Sequence, residues 1–433
     1  MTMIRLFVSW LLLACASSFH PTWAQSLLVG QVLDDSTGLP LAYVRLSLVQ
    51  GQRGTLSNEG GQFRLQLSKQ DQGDTLEVFV LGYVPQRVAV ATLPAQPIEI
   101  RLQPRPLDLK TVTILSETPF RLLRRAIDRI PDNYPAGNWA WEGFYREIEN
   151  WHFLRLQYEK EVLPPQRSIT IGEALVELMM PTYQDNDDPQ VRLLKGRLLQ
   201  PEDVLQDSLD EEIRQMAEGF EESGGPPGQA AFDVARDPDR FPFLKKRGEK
   251  WYTYELRGVL DYQGRPAYRI DFAQRPEQDT RKSLFDGTVY IDTATLAFVS
   301  VRFHLSETAK LYTPELSALG VRVKGTDFRA RIEYRLQAGR WTLAYNDLQK
   351  ETYLGVPDGF LFKKSFQMDS YLGTRRELLI TQLRSQQARP IPEADQFRDK
   401  EVLSEEVGAY DPTFWEGQTI LPVEASLLKE RNQ

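Results

Sequence analysis

Cysteine is all but missing from this chain of 433 residues, with Cys15 the single one. A lone cysteine forms no intramolecular disulfide, and a chain trimmed past it has neither a thiolate nucleophile nor a Cys-ligated metal. Histidine is nearly as scarce, at three. His152 and His304 are far apart, and neither has a second histidine nearby to give the converging ligands of a zinc hydrolase. His152 lies between Trp151 and Phe153 and reads as a structural or exposed imidazole, and His304 in a strand reads the same way. There is no G-x-S-x-G elbow, P-loop or dinucleotide fingerprint. Gly224-Gly-Pro-Pro-Gly228 lacks the Lys-[ST] ending that cradles phosphate. A net charge of −8 without a long Lys/Arg run makes nucleic acid and anionic membrane surfaces poor partners. No cofactor signature is present.

Apolar residues at 41% and charged residues at 26% belong to a globular chain, and its length implies two or three domains. The abundant aromatics (8 Trp, 17 Tyr, 21 Phe) fit a β-rich protein, where flat side chains pack on pleated surfaces. Residues 1–24 read as a targeting segment, with Arg5 as the basic region and Leu6 to Ala14 as an apolar stretch too short to span a bilayer. Thr22-Trp-Ala24 then allows cleavage between Ala24 and Gln25. The alternative is Leu12-Leu-Ala-Cys15 as a lipobox, with Cys15 carrying a lipid anchor. Either way the chain is expected to be exported, to the periplasm or the periplasmic face of the outer membrane. No transmembrane span is expected in the mature chain.

Short apolar alternations separated by turn residues follow at close spacing. Strands are expected at Leu27–Val32, Ala42–Val49, Phe63–Leu67, Leu76–Val80, Val84–Ala91 and Ile98–Leu102. Asp34-Asp-Ser-Thr-Gly-Leu-Pro40 and Asn58-Glu-Gly-Gly61 supply turns between them. About seven strands of this kind make a sandwich. Asp34 and Asp35 read as turn organisers, and Phe63 and Tyr83 as core.

Several separated signals in this stretch resemble the carboxypeptidase-regulatory-like domain. They are Gly30/Val32/Asp34, Thr37-Gly-Leu-Pro-Leu41, Gly54-Thr-Leu-Ser-Asn58, Gly61-Gln-Phe63 and Gly82-Tyr83. Pro106 to Ile114 resembles the extension found where that domain precedes other envelope modules. The resemblance implies a prealbumin-like module and not a peptidase.

Beyond it, Thr118 to Ile130 reads as an amphipathic helix, capped by Thr118 with Pro119 at its first position, its arginines forming a solvated or salt-bridged face. Strands are expected at Gly143–Glu149, Leu154–Glu161 and Ile169–Leu178, and a helix over Pro201 to Phe220. Ser223 to Gly228 reads as a loop and a candidate lid. From Trp251, seven strands with hairpin turns at Tyr262-Gln-Gly264 and Ala338-Gly-Arg340 read as a meander. They make one strongly curved sheet whose concave face needs helices, a ligand or a partner to cover it. Phe285 to Phe298 resembles a hairpin of the lipoprotein-carrier-like half-barrels. Tyr145-Arg-Glu147 and Tyr410 to Trp415 add to a likeness with gram-negative envelope proteins that begin with the regulatory-like domain.

The expected fold is therefore mainly β, a seven-stranded β-sandwich followed by a large curved antiparallel half-barrel sheet with a few helices. The expected divisions are a signal peptide (1–24), the sandwich (25–103), a linker with the helix (104–135), the half-barrel-like domain (136–385) and a C-terminal tail (386–433). Asp185-Asn-Asp-Asp188 is a calcium candidate lacking the glycine and distal Glu of an EF-hand, and reads as an acidic loop. Glu173 and Glu177 are the one candidate carboxylate pair. The expected function is a non-enzymatic envelope protein: an interaction or spacer sandwich, with a larger β domain holding an apolar ligand, a lipid or lipoprotein segment, or a partner chain. Tyr254, Tyr268, Phe272, Tyr290 and Phe303 are the candidate ligand face, with Trp251, Tyr252 and Phe298 beside them. A peptide or glycan hydrolase and a carbohydrate-binding accessory protein are the alternatives.

Overall fold

The computed structural model describes residues 26–94, 97–105, 117–158, 161–185, 187–199, 225–275, 285–307, 309, 321–357, 366–398, 403–407, 411–424 and 427. The targeting segment, Cys15, Ala24, Gln25, Pro106–Ile114 and the Pro201–Phe220 helix lie outside them.

The N-terminal strands are β1 (Ser26–Asp34), β2 (Arg45–Leu48), β3 (Gly54–Leu56), β4 (Gln62–Leu67), β5 (Thr75–Phe79), β6 (Gln86–Ala89) and β7 (Ile98–Leu102). They pair as a three-stranded sheet, β4-β1-β7, and a four-stranded sheet, β3-β2-β5-β6. Val32, Leu46, Phe63, Leu65, Leu76, Val78 and Leu102 fill the space between the sheets, so the expected sandwich forms. The Asp34 Oδ1 accepts from the Ser36 and Thr37 amides at 2.8 and 2.9 Å, and its Oδ2 accepts from the Tyr83 hydroxyl at 2.8 Å, closing the first turn. Those hydrogen bonds hold the carboxyl well below the usual carboxylate range. Gly61 has φ +74°, and an added Cβ would sit 2.5 Å from the Val32 carbonyl, so both conformation and space demand glycine. Strand β2 is shorter than expected because Tyr43 turns into the left-handed region at φ 57°.

The second sheet is built from β8 (Trp139–Tyr158), β9 (Glu161–Leu163), β10 (Gln166–Met180), β11 (Gln190–Leu199), β12 (Tyr252–Tyr262), β13 (Arg265–Gln274), β14 (Phe285–Asp292), β15 (Phe298–Leu305), β16 (Arg322–Gln337), β17 (Arg340–Val356) and β18 (Phe366–Ser385). The order is β11-β10-β8-β18-β17-β16-β15-β14-β13-β12, with β9 on β8, and every pairing is antiparallel. Strands β12 to β18 are the expected meander. Gln263 and Gly264, and Ala338 and Gly339, all take positive φ, as two-residue hairpin loops with matching twist require. Sequence alternation breaks near Asn150-Trp-His152 and suggests two strands there. The chain instead runs through as the single β8, because β10 and β18 pair with it on either side.

Helix α1 (Pro119–Asp128) starts where expected, the Thr118 hydroxyl accepting from the Arg121 amide at 3.2 Å. It buries Phe120, Leu122, Leu123 and Ala126 in the core of the large sheet. Gly225–Ala231 is not a loop or lid but a short buried helix, followed by turns at Pro238–Arg240, Pro242–Leu244 and Gly248–Lys250. Residues 225–251 thus form a strap across the same face as α1. The Asn346 amide nitrogen donates to the Gln229 and Phe232 carbonyls at 2.7 and 2.9 Å, and the Gln229 amide donates back to Asn346 at 2.9 Å. Buried Asp233 accepts from the hydroxyls of Tyr183, at 2.7 Å, and Tyr334. These paired polar groups anchor the strap, since an unsatisfied buried partner would be costly.

The opposite face of the large sheet is covered by the sandwich and the C-terminal segment. Residues 411–424, within the span read as a tail, bury Trp415, Ile420 and Leu421 against Phe144, Leu175, Tyr345 and Leu379. Arg64 and Asn58 of the sandwich donate to the Glu416 and Pro422 carbonyls at 2.8 and 3.0 Å. The molecule is a stack of strap, sheet and sandwich. No helix among the described residues is long and apolar enough to cross a membrane.

Candidate functional site

Strand register sorts the expected ligand face. Tyr254 pairs with Phe272, Phe272 with Gly287, Gly287 with Phe303, and Tyr268 with Ile291, so these four aromatics share the strap face. Tyr290 is opposite Ser300 and points to the other side, towards Tyr262 and Arg302. The strap itself fills the first group. Phe243 stacks on Phe272 at 4.1 Å between centroids and meets Phe303 at 5.2 Å, and Phe120 of α1 meets Tyr254 at 5.0 Å. Tyr252 and Phe298 are buried in the same core. A ligand reaching these rings has to displace residues 225–251.

The candidate carboxylate pair is not assembled. Glu173 and Glu177 are four residues apart along a strand, roughly 13 Å at the strand rise, beyond the range of paired catalytic carboxylates. Glu173 is bound by Arg146 and Arg197, and Glu177 by Arg192. Asp185, Asp187 and Asp188 are exposed, and Asn186 lies outside the described residues.

A different constellation emerges on the sandwich face. One register row crosses the sheet through Arg197, Glu173, Arg146, Glu377, Asp347, Arg331, Arg302, Thr288, Asp271 and Glu255. Arg146 is fully buried, 2.6 Å from Glu173 and 3.5 Å from Glu377, and also donates to the Leu421 carbonyl. The like charges of Glu377 and Asp347 are bridged by Arg375, at 3.0 and 3.1 Å. Arg375 also reaches Glu59 at 3.1 Å and the Tyr43 hydroxyl at 2.7 Å, tying the row to the sandwich. The left-handed backbone at Tyr43 places its ring under Arg331, 4.1 Å from the guanidinium carbon.

Burial pushes the Asp347 carboxyl up to about 6, with Arg375 opposing and Glu377 reinforcing the shift. The folded state then holds this proton more tightly than the unfolded chain. Its stabilising contribution is complete below the unfolded carboxylate range and is lost as pH rises through about 6. Between pH 5 and 7.5 the protein should lose about 1 kcal/mol relative to an Asp347→Asn variant, which has no proton to release. Urea unfolding of both proteins at the two pH values checks this, and a pH-independent difference would contradict it.

Where the row passes through Arg331 and Arg302 the sandwich and the sheet border a cavity of about 50 Å³. Its apolar walls include Leu56, Phe79 and Leu81 from the sandwich and Ala344, Leu379 and Ile380 from the sheet. Arg45, Arg302, Arg331 and Arg335 are among its lining residues, with Glu333 the one acidic residue among the described ones. Arg45 comes from β2 and Arg335 from β16, so both layers contribute. Sequence reading missed this site because no local motif encodes which strands become neighbours. The nearest signals are the Tyr145-Arg-Glu147 and Trp415 landmarks, which mark the row.

Residues 28–114 match the CarboxypepD_reg-like domain family. No curated protein matches the chain. Among solved structures, a domain described as an outer membrane lipoprotein-sorting protein from Vibrio parahaemolyticus is 10% identical, covering 64% of this chain and 94% of its own, with a TM-score of 0.23. A DUF1329 family protein from Desulfovibrio piger is 9% identical over 61% of this chain and 94% of its own, with a TM-score of 0.19. MucB, solved in complex with MucA, is 10% identical over 59% of this chain and 93% of its own, also at 0.19.

Proposed function

We propose that this is an exported, non-enzymatic binding protein of the cell envelope whose ligand seats between the N-terminal sandwich and the large sheet. The observation that carries the reading is the shared cavity, lined by apolar residues and arginines drawn from both layers. The strap fills the other face of the sheet, while on the sandwich side the two layers leave this cavity between them. The sandwich is then one wall of the site and not a detached spacer. Export rests on the Arg5–Ala24 segment, and the regulatory-like module at residues 28–114 suits an envelope protein that acts by binding.

The test is native mass spectrometry of the full chain, with extraction of any co-purified small molecule. Leu379→Trp, which fills the cavity from the sheet side, is expected to abolish co-purification while leaving the protein folded. Undiminished ligand in the Leu379→Trp protein would overturn the reading.

A further inference from the structure

We propose that this cavity is an oxyanion site, in which Arg335 and Arg45 hold a phosphate-class anion. The assignment rests on the cavity being the ligand seat and names the polar end of what it takes. Arg335 is 9% exposed, and its Nε and Nη2 are buried with no hydrogen-bond partner. The Nε of Arg45 is likewise unpartnered. Both cations line the same cavity. Burial, reinforced by Arg45, brings the Arg335 guanidinium down to about 10, so it remains a cation at neutral pH.

The surrounding charges do not neutralise it. Arg45 has Glu77 at 3.5 Å and the Phe79 ring at 5.6 Å. Glu333 is taken by Arg302 at 2.9 Å, by Ser300 at 3.1 Å and by the Tyr262 hydroxyl. Arg331 rests on Tyr43. Arg335 lies over the Trp141 ring, 6.0 Å from its centroid. A buried guanidinium with open donors calls for an acceptor that brings negative charge, and a tetrahedral oxyanion matches its planar fork. The cavity of about 50 Å³ exceeds the roughly 10–15 Å³ that a single water needs. It is several times the space of one water, the scale of a small oxyanion. The apolar walls beside it would suit a phosphate carried on an alkyl chain.

The test uses the full chain in phosphate-free buffer. Inorganic phosphate is titrated at constant ionic strength against chloride, and thermal unfolding is followed. The expected result is a phosphate-dependent rise in Tm. Arg335→Met should remove that rise and weaken phosphate binding, measured by calorimetry, at least about tenfold. In phosphate-free buffer the same variant should melt no lower than the parent, since it loses an unpaired buried charge. Ser47→Leu, which fills the cavity and keeps both arginines, should also lose the phosphate response, and it decides the matter if Arg335→Met does not fold. A Tm response equal for phosphate and chloride, or unchanged in the variants, overturns the site and leaves it to water.

Dihexanoyl phosphatidic acid and a neutral dihexanoylglycerol separate the sources. Tighter binding of the phosphatidic acid than of inorganic phosphate points to a lipid headgroup, whereas equal binding points to the free anion, and either supports the site. Equal binding of the neutral lipid, indifferent to Arg335, would preserve the cavity as a ligand seat while refuting the oxyanion assignment.

Discussion

Replacing Arg146 with alanine is expected to cost about 3–5 kcal/mol of folding stability. The guanidinium is enclosed between β8, β10, β18 and the C-terminal segment, bonded to Glu173 and the Leu421 carbonyl and facing Glu377. Its removal leaves two carboxylates beside each other in a site closed to water, with only Arg197 and Arg375 to offset them. Uncompensated buried charge is among the most damaging single changes. Urea unfolding of the variant measures the loss. Arg146→Ala combined with Glu173→Gln should recover part of it, because the double change removes a charge as well as its partner. A loss below about 1 kcal/mol would mean that the row is solvated and does not clamp the layers together.

Phe243→Ala should cost a similar amount, about 3–5 kcal/mol. The ring is fully buried, stacked on Phe272 and touching Phe303 and Tyr252. Backbone on both sides is held by other contacts, with Arg124 of α1 donating to the Leu244 carbonyl at 2.7 Å and Tyr254 donating to the Phe243 carbonyl at 2.7 Å. The site cannot collapse freely, so a cavity remains. Urea unfolding again gives the number. A near-neutral result, accompanied by gain of apolar dye binding in the folded protein, would mean that the strap lifts and the aromatic face beneath it is open to ligand after all.

The two substitutions probe features that differ in how much of them the sequence reveals. The sandwich turns, the Thr118 cap and the hairpins at Gln263-Gly264 and Ala338-Gly339 depend on local backbone chemistry, and they are legible residue by residue. The aromatic alternation of β12 to β15 is equally visible, but which rings share a face depends on register. Tyr290 falls on the opposite side from Phe272 for that reason. The Gly-Pro-Pro-Gly of residues 225–228 has the composition of a loop, yet tertiary burial draws it into a short helix under the sheet. The charged row is invisible in sequence. Arg146, Glu173, Glu377 and Asp347 become neighbours only through antiparallel pairings, one of which joins positions 146 and 377. The cavity follows the same rule, since Arg45 and Arg335 meet only when the sandwich docks on the sheet.

The central claim, that ligand is held between the two layers, is tested most directly by hydrogen–deuterium exchange with and without the molecule extracted from the purified protein. The account predicts that adding it back protects amides on both walls together, at residues 54–56 and 79–81 of the sandwich and 331–335 and 379–380 of the sheet. Protection confined to the strap at residues 225–251, or to one wall alone, would contradict it.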